Sequence, residues 1–429
     1  MCLKKARLFT VGTFHNSFAI PKCPLQRNFA SLPNRNLNQK FYENRVLDRY
    51  SSQDAKKVSL RQLVLFGRQL TEDKLLSSAN YVRTELPVRI SHRIRDFQSL
   101  PYIAGTNPHM RLVYDLYWQA FDEIRKFSQI RSLDDNRRFC KMLSRNLGTH
   151  SQVIPQLGLG VNECLTLITP TEIDQFMNKM LVARISRRTL AEQHIALSNQ
   201  FDEDILSVSG ESSLDHAPLG FSTQRTGIVK PACDIAQLLH GCAIKIQAQF
   251  EDAYDLPPDT APQIVIEGNR DASFMCVPDN IEYIVYELLK NSMRAILKKG
   301  QANKGGVNAD ALPPIFVTIC SNDQDITIRV SDQGGGIPYE ILPHIWSYSN
   351  PEKLHCMDNF NQVNKLEAKV SESERTSPFL SFGFGLPMSR VYAQYWGGDI
   401  VIRSLPGYGV DAYITLPRLG TMVENLSID

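Results

Sequence analysis

The chain has 429 residues, 43% of them hydrophobic and 21% charged, with a formal net charge of +2. That is the composition of a globular chain long enough for two or three domains; it gives no electrostatic argument for a nucleic-acid partner, and no apolar run reaches the ~20 residues that span a bilayer. The nine cysteines are scattered, odd in number and include no C-x-x-C pair, which argues against a disulfide framework and a zinc site and for reduced thiols.

Residues 1–42 carry Lys4, Lys5, Arg7, Lys22, Arg27, Arg35 and Lys40, and the first acidic residue is Glu43. A basic, acid-free leader with small hydroxyl and aromatic residues has the composition of a mitochondrial transit peptide; a disordered basic tail has it too. From 58 to 200 the spacing is helical. Leu75, Leu76, Ala79, Val82, Leu86 and Ile90 recur at helical intervals, and Pro87 inside that run is expected to kink it. Asn107 and Pro108 suit the N-cap and first turn of the next helix. Thr169-Pro170-Thr171-Glu172 opens a long one. With the segment 134–147, these helices and their short connections predict an antiparallel bundle. Residues 201–222 are polar and turn-rich and read as a linker. After it, five alternating runs at 262–268, 314–320, 325–332, 398–404 and 411–417 read as strands, with helices around 279–299 and 385–397. The expectation is one sheet covered by helices on one face. No repeat of fixed period is present.

In the helix at 279–299, Ile281, Val285, Leu288, Ser292, Ala295 and Ile296 form one stripe. Glu287, Asn291 and Arg294 share another face, because i, i+4 and i+7 line up. A solvated face gives the same pattern. Further on, Asp332 ends a strand and is followed by Gly334, Gly335 and Gly336, residues that let a backbone turn tightly and approach a ligand. Gly383 and Gly385 then precede a helix, whose free N–H groups suit phosphate oxygens.

Each motif alone is weak. In this order, E-x-x-x-N on a helix, D-x-G-G-G after a strand and G-x-G-L before a helix, they resemble the ATP-binding domain of the GHKL superfamily, which includes histidine kinases, gyrase- and MutL-type ATPases and the ninety-kilodalton heat-shock chaperones. "ELLKNSMRA", "SDQGGGI", "FGFGLPMSRVYAQYWGGDI" and "GYGVDAYITL" narrow the resemblance to the mitochondrial 2-oxoacid dehydrogenase kinases. "ELPVRISHRIRDFQSLPYI" and "ARISRRTLAEQHIAL" carry it into the first domain, so that it covers roughly 58 to 420.

The resemblance implies an α+β chain. An N-terminal antiparallel helical bundle at 58–200 would serve lipoyl-domain docking and regulation. A GHKL-type α/β sandwich at 223–420 would bind ATP, with a lid at 338–380. It implies a protein serine kinase of the mitochondrial matrix that uses ATP and Mg²⁺. The substrate would be the dehydrogenase component of the pyruvate dehydrogenase complex, inactivated by phosphorylation; the branched-chain 2-oxoacid dehydrogenase is the alternative. The lipoyl domain of the acyltransferase core would be the docking partner, and the α/β domain would form a homodimer.

Residue by residue, Glu287 would be the general base on the substrate serine, tuned by Lys290. Asn291 would ligate Mg²⁺. Lys290 and Arg294 would offset phosphate charge. Asp332 would accept the adenine amino group, with Gly334 and Gly336 packing on the base. Gly383, Phe384, Gly385 and Leu386 would wrap the terminal phosphates. The chain departs from the family where Ser381-Phe382-Gly383 replaces G-F-G, and where Ser349 and Asn350 stand for a Ser-Thr pair. His150 in "GTHSQV" falls near a histidine of the family's first domain, but a plain core or surface histidine is the simpler reading. A histidine kinase would need an acceptor His followed by Asp or Glu, and none of the nine is. A non-catalytic nucleotide-binding scaffold would need no base, yet Glu287, Asn291 and Asp332 are all present.

Overall fold

The computed structural model describes residues 37–68, 70–209, 227–254, 256–257, 260–304, 312–349 and 383–427. Most of the basic leader, residues 210–222 of the expected linker and 350–380 of the expected lid lie outside them. The chain divides into two compact units, 1–46 and 47–429. In the first, the described backbone belongs to helix α1 (Leu37–Ser51).

The second unit begins with the expected helices: α2 (Leu60–Gly67), α3 (Glu72–Ser99), α4 (Tyr102–Thr106), α5 (Pro108–Lys126), α6 (Leu133–Thr149), α7 (Val153–Cys164) and α8 (Pro170–Ser209). Side-chain caps start most of them, α4 and α7 excepted, because the first N–H groups of a helix lack partners. Ser59 and Gln62 bond each other's backbone in a capping box, and Asn107 accepts from the N–H groups of His109 and Met110. Thr169 and Glu172 form the same reciprocal pair ahead of α8. Helix α3 continues through Pro87 for 28 residues. The lost bond is carried by the packing of Leu86, Val88 and Ile90, all buried, and by contacts to α5 and α8.

Helix α8 overruns the start of the expected linker and ends at Ser209. The polar residues from 201 onward are a helix surface: no Gly or Pro interrupts them before Gly210, and Asp202 pairs with Arg137 at 2.9 Å. Tyr117, Phe121, Phe139, Leu157 and Met177 fill the centre of the bundle. His194 lies among them with its ring nitrogens 2.9 Å from Asn136 Oδ1 and 3.1 Å from Ser78 Oγ. Burial pushes it down to about 4.

The remainder is a sheet-and-helix domain. Strands β2 (Ile264–Gly268), β4 (Ile315–Ser321), β5 (Asp325–Asp332), β6 (Asp399–Leu405) and β7 (Gly409–Pro417) form one sheet in the order β2-β4-β5-β7-β6. Only the β2–β4 pair of that sheet is parallel. Along β5, Ile326, Ile328, Val330 and Asp332 are buried and their neighbours are not. Side chains alternate across a strand, so one face is covered, as expected. The cover is α9 (Ile235–Ala253), α10 (Pro278–Lys304) and α11 (Gly385–Tyr395).

The sequence reading omits α9 and the two-stranded antiparallel sheet of β1 (Lys230–Asp234) and β3 (Ser273–Cys276). Ile235, Leu239, Cys242, Ile246 and Phe250 of α9 do keep helical spacing and are buried. The short strands have no alternation to betray them.

Residues 418–427 tie the two halves together. The Arg61 N–H bonds Gly420 O at 3.0 Å, the Glu424 N–H bonds Val58 O at 2.9 Å, and the Asn425 N–H bonds Tyr395 O at 2.9 Å. The Glu424 side chain, fully buried, reaches Arg89 of α3 at 2.9 Å. Arg89 also bonds Glu85 at 3.1 Å, Lys56 O at 2.6 Å and Ser186 Oγ. Burial lifts the Glu424 carboxyl from its ordinary 4.5 to about 7, against the pull of Arg89.

Candidate active site

Helix α10 is apolar on more than its sheet-facing stripe: Ile284, Leu289, Met293 and Leu297 are also buried. The reason is that α9 and α11 pack on it as well as the sheet. Glu287, expected on an open face, is therefore only 6% exposed, and it forms an ion pair with Lys290, 5% exposed. Gly385, the first residue of α11, sits directly over the carboxylate; a Cβ there would overlap Glu287 Oε2. The Lys290 ammonium also lies 5.5 Å from the centre of the Tyr286 ring. Burial pulls Lys290 below the ordinary lysine value, and Glu287 pulls it back. Asn291 and Arg294 are half-buried.

Asp332 ends β5 on the buried face and is 6% exposed. The Ser292 hydroxyl donates to its Oδ2 at 2.8 Å, and the Gly334 N–H donates to its Oδ1 at 2.8 Å. Burial raises the carboxyl and these bonds lower it. Ser292 was counted with the apolar stripe. The signal that could have singled it out is that it carries the one hydroxyl in that row.

The glycine loop after Asp332 is fixed from two sides. Gly336 has φ +76°, a left-handed conformation that favours glycine. A Cβ on Gly334 would overlap Ala295 of α10. The loop is stitched to the β6–β7 turn by Gly335 N–H to Tyr408 O at 3.0 Å and Gly407 N–H to Gly335 O at 2.7 Å. Lys299 bonds Gln333 O at 2.9 Å. Gly409 closes the other side, where a Cβ would overlap Asp332 O.

Gly383 has φ +73° and leads through buried Phe384 into α11; Gly385 and Leu386 are half-buried. The Phe384 ring meets Tyr348 edge-on at 5.4 Å. Tyr348, at the start of the expected lid, is held by α8: its hydroxyl donates to Asn178 Oδ1 at 2.8 Å and its N–H to Asp174 Oδ1 at 2.8 Å. Ser349 turns its hydroxyl toward Ser347 at 2.9 Å, and Ser347 bonds Asp174 at 3.1 Å. No sequence signal points to Asp174, Asn178 or Tyr348, which lie about 170 residues apart. Asn350, Ser381 and Phe382 lie outside the described residues.

Among the described residues no group of three or more His, Cys, Asp or Glu gathers to hold a metal unaided. Mg²⁺ shared with phosphates needs only one or two protein oxygens and keeps waters, so the half-buried Asn291 amide, one turn from Glu287, fits that ion. His150 is far from this chemistry. Arg187 donates to its Nδ1 at 2.9 Å, which leaves Nε2–H for Leu116 O at 3.2 Å. Burial, then Arg187, pushes it down to about 3, so it is a neutral bundle histidine.

The arrangement offers a sheltered carboxylate clamped by an ammonium, a glycine-led helix start above it, and a fixed carboxylate acceptor bonded to Ser292 of the same helix. Comparison with known proteins fits both halves. Residues 57–228 match the family model described as mitochondrial branched-chain alpha-ketoacid dehydrogenase kinase. Residues 276–420 match that described as histidine kinase-, DNA gyrase B-, and HSP90-like ATPase. The chain is 32% identical to an Arabidopsis thaliana protein named pyruvate dehydrogenase (acetyl-transferring) kinase, mitochondrial, over 86% of this chain and 92% of that one. It is 27% identical to the Saccharomyces cerevisiae protein named pyruvate dehydrogenase (acetyl-transferring) kinase 2, mitochondrial, over 91% and 88%. Against the Homo sapiens protein named isozyme 4 of that kinase, mitochondrial, the identity is 27% over 90% and 87%.

Proposed function

The chain belongs to the mitochondrial family of pyruvate dehydrogenase and branched-chain 2-oxoacid dehydrogenase kinases, and from that premise we propose that it transfers the terminal phosphoryl group of ATP to a serine of the pyruvate dehydrogenase component and so inactivates it. The observation that carries the proposal is the buried Glu287–Lys290 pair under the glycine start of α11. A base must be ionised and within reach of the hydroxyl it deprotonates. Lys290 pairs directly with the Glu287 carboxylate, and Gly385 gives the helix start close approach to it.

In this reading Asp332 accepts from the adenine amino group, with the base lying on Gly334 and Gly336. The N–H groups of 383–386 face the phosphates, as helix starts do. Arg294 offsets phosphate charge. Asn291 holds Mg²⁺, which when bound draws charge from the phosphate oxygens. Ser349 contacts ATP; Asn350, Ser381 and Phe382, expected to bind it too, lie outside the described residues. A phosphoserine adds about −1.5 to −2 charge at neutral pH, enough to stop a loop of the dehydrogenase from ordering. The bundle docks on lipoyl domains of the acyltransferase core, the α/β domain makes a homodimer, and the enzyme works in the mitochondrial matrix.

The test is transfer of radiolabelled phosphate from MgATP to intact pyruvate and branched-chain dehydrogenase complexes. The expected result is label on a serine of pyruvate dehydrogenase with loss of that complex's activity. Glu287→Gln should keep ATP binding and lose at least about 100-fold in transfer, the scale of a general base. A protein that binds ATP and labels neither complex would sink the kinase reading.

A further inference from the structure

Ser292 makes a buried contact that this mechanism does not use. We infer that Ser292 is a positioning residue for nucleotide selection: its hydroxyl locks the Asp332 carboxylate in the orientation that accepts an amino group, and so sets the preference for adenine over a base with oxygen at the same position. The inference rests on the reading of Asp332 as the adenine acceptor.

Ser292 is 5% exposed on the sheet-facing side of α10. A hydroxyl in such a place is costly unless it is bonded, and its bond is to Asp332 Oδ2 at 2.8 Å. Gly334 N–H holds the other oxygen at 2.8 Å. The backbone around Asp332 has little freedom: it is paired with Val410 in the sheet, Gly409 crowds its carbonyl, and Gly334 is wedged against Ala295. Rotation of the carboxylate about its own bond is what the backbone leaves free. The Ser292 hydroxyl and the Gly334 N–H, one on each oxygen, with the Val410 N–H beside them, remove that freedom.

They also decide what the carboxylate can bind. An ionised carboxylate only accepts. With these lone pairs used, the remaining ones face an incoming base as pure acceptors. An amino group satisfies them; a carbonyl oxygen brings lone pair against lone pair and leaves both unpaired, the mismatch that polar sites reject most strongly. Successive residues on a helix point ~100° apart. Less than two turns of α10 therefore serve both ends of a nucleotide, Glu287 and Asn291 toward the phosphates and Ser292 toward the base.

Titration calorimetry of the full chain with MgATP, MgGTP and inorganic tripolyphosphate tests this, with Ser292→Ala and Asp332→Asn beside the unchanged protein. In Ser292→Ala, MgATP binding should weaken about tenfold, the scale of one charge-assisted hydrogen bond. MgGTP and tripolyphosphate should be unaffected, so the ATP-to-GTP ratio falls by the same factor, and in phosphotransfer the loss should sit in KM. Ser292→Cys, similar in size but a weak donor, gives the same readout if the alanine variant does not fold. An equal loss for all three ligands would mean a fold effect and overturn the inference. So would unchanged ATP binding in Ser292→Ala while Asp332→Asn has lost it. If Asp332→Asn binds ATP normally, the reading of Asp332 itself is wrong, a separate outcome.

Discussion

Replacing Glu424 by glutamine should make the protein more stable above neutral pH and change it little below pH 4.5. Glu424 is fully buried beside Arg89, and its carboxyl is raised from 4.5 to about 7. A carboxyl raised on folding binds its proton more tightly in the folded state. The stability it contributes is present below the unfolded value and is lost as pH rises through the folded one. The difference of about 2.5 units, at about 1.4 kcal/mol each, makes the cost at pH 8 about 3 kcal/mol. Glutamine imitates the protonated form at every pH and should remove that cost, while Arg89 keeps Glu85 at 3.1 Å and Lys56 O at 2.6 Å. The assay is urea unfolding of both proteins from pH 5 to 8. His194 and His150 act in the opposite sense, since both are lowered on folding, so the difference between the two proteins is the informative quantity. It should be under about 1 kcal/mol at pH 5 and grow to about 3 kcal/mol by pH 8. A constant difference, or a glutamine variant less stable at pH 8, would refute the reasoning.

The two histidines alone should cost stability as pH falls below 6.5, by up to about 1.4 kcal/mol per unit each, down to their folded values; His194→Gln should flatten the acid limb of the unfolding curve if its partners tolerate the exchange. Gly385→Ala places a Cβ on Glu287 Oε2 and should cut phosphotransfer about 100-fold, the usual effect of displacing a reacting group by ~1 Å; activity near normal would show the carboxylate is not used where it lies. Lys290→Met strands a buried carboxylate and should cost about 3–5 kcal/mol in chemical unfolding, a loss that an exposed Glu287 would not produce. Gly336→Ala forces a side chain into φ +76° against Leu405 O and should lower stability by about 1–3 kcal/mol; an unshifted melting temperature would place that loop elsewhere.

What the sequence makes legible is what local chemistry determines. Asn107 and Thr169 start helices because an orphan N–H needs an acceptor, and that need is written within three residues of the cap. The five strands of the large sheet follow from alternation, which depends only on having one covered face. The burial of Glu287 and Lys290 was not legible, because a helical pattern reveals a face and not how many neighbours pack on it; α11 covers what the sheet does not. Ser292 and Asp332 are 40 residues apart, and Tyr348 lies far from Asp174 and Asn178. Each of these bonds needs the tertiary fold before either partner has a role. Helix α8 outlasted its expected end because polar residues alone do not stop a helix; a glycine or proline does.

The cover over Glu287 has a consequence for how the enzyme idles. Gly385 closes the carboxylate off, and 6% exposure leaves bulk water little access to it. If Glu287 is the base, a water molecule is a poor substitute for the substrate serine, and ATP held in the site is protected from wasteful hydrolysis. On that reading the substrate hydroxyl, seated by docking of the dehydrogenase, would be the group that reaches the base. Phosphate release without substrate should therefore be slow, and Gly385→Ala, by prising the box away from the carboxylate, should raise it relative to transfer.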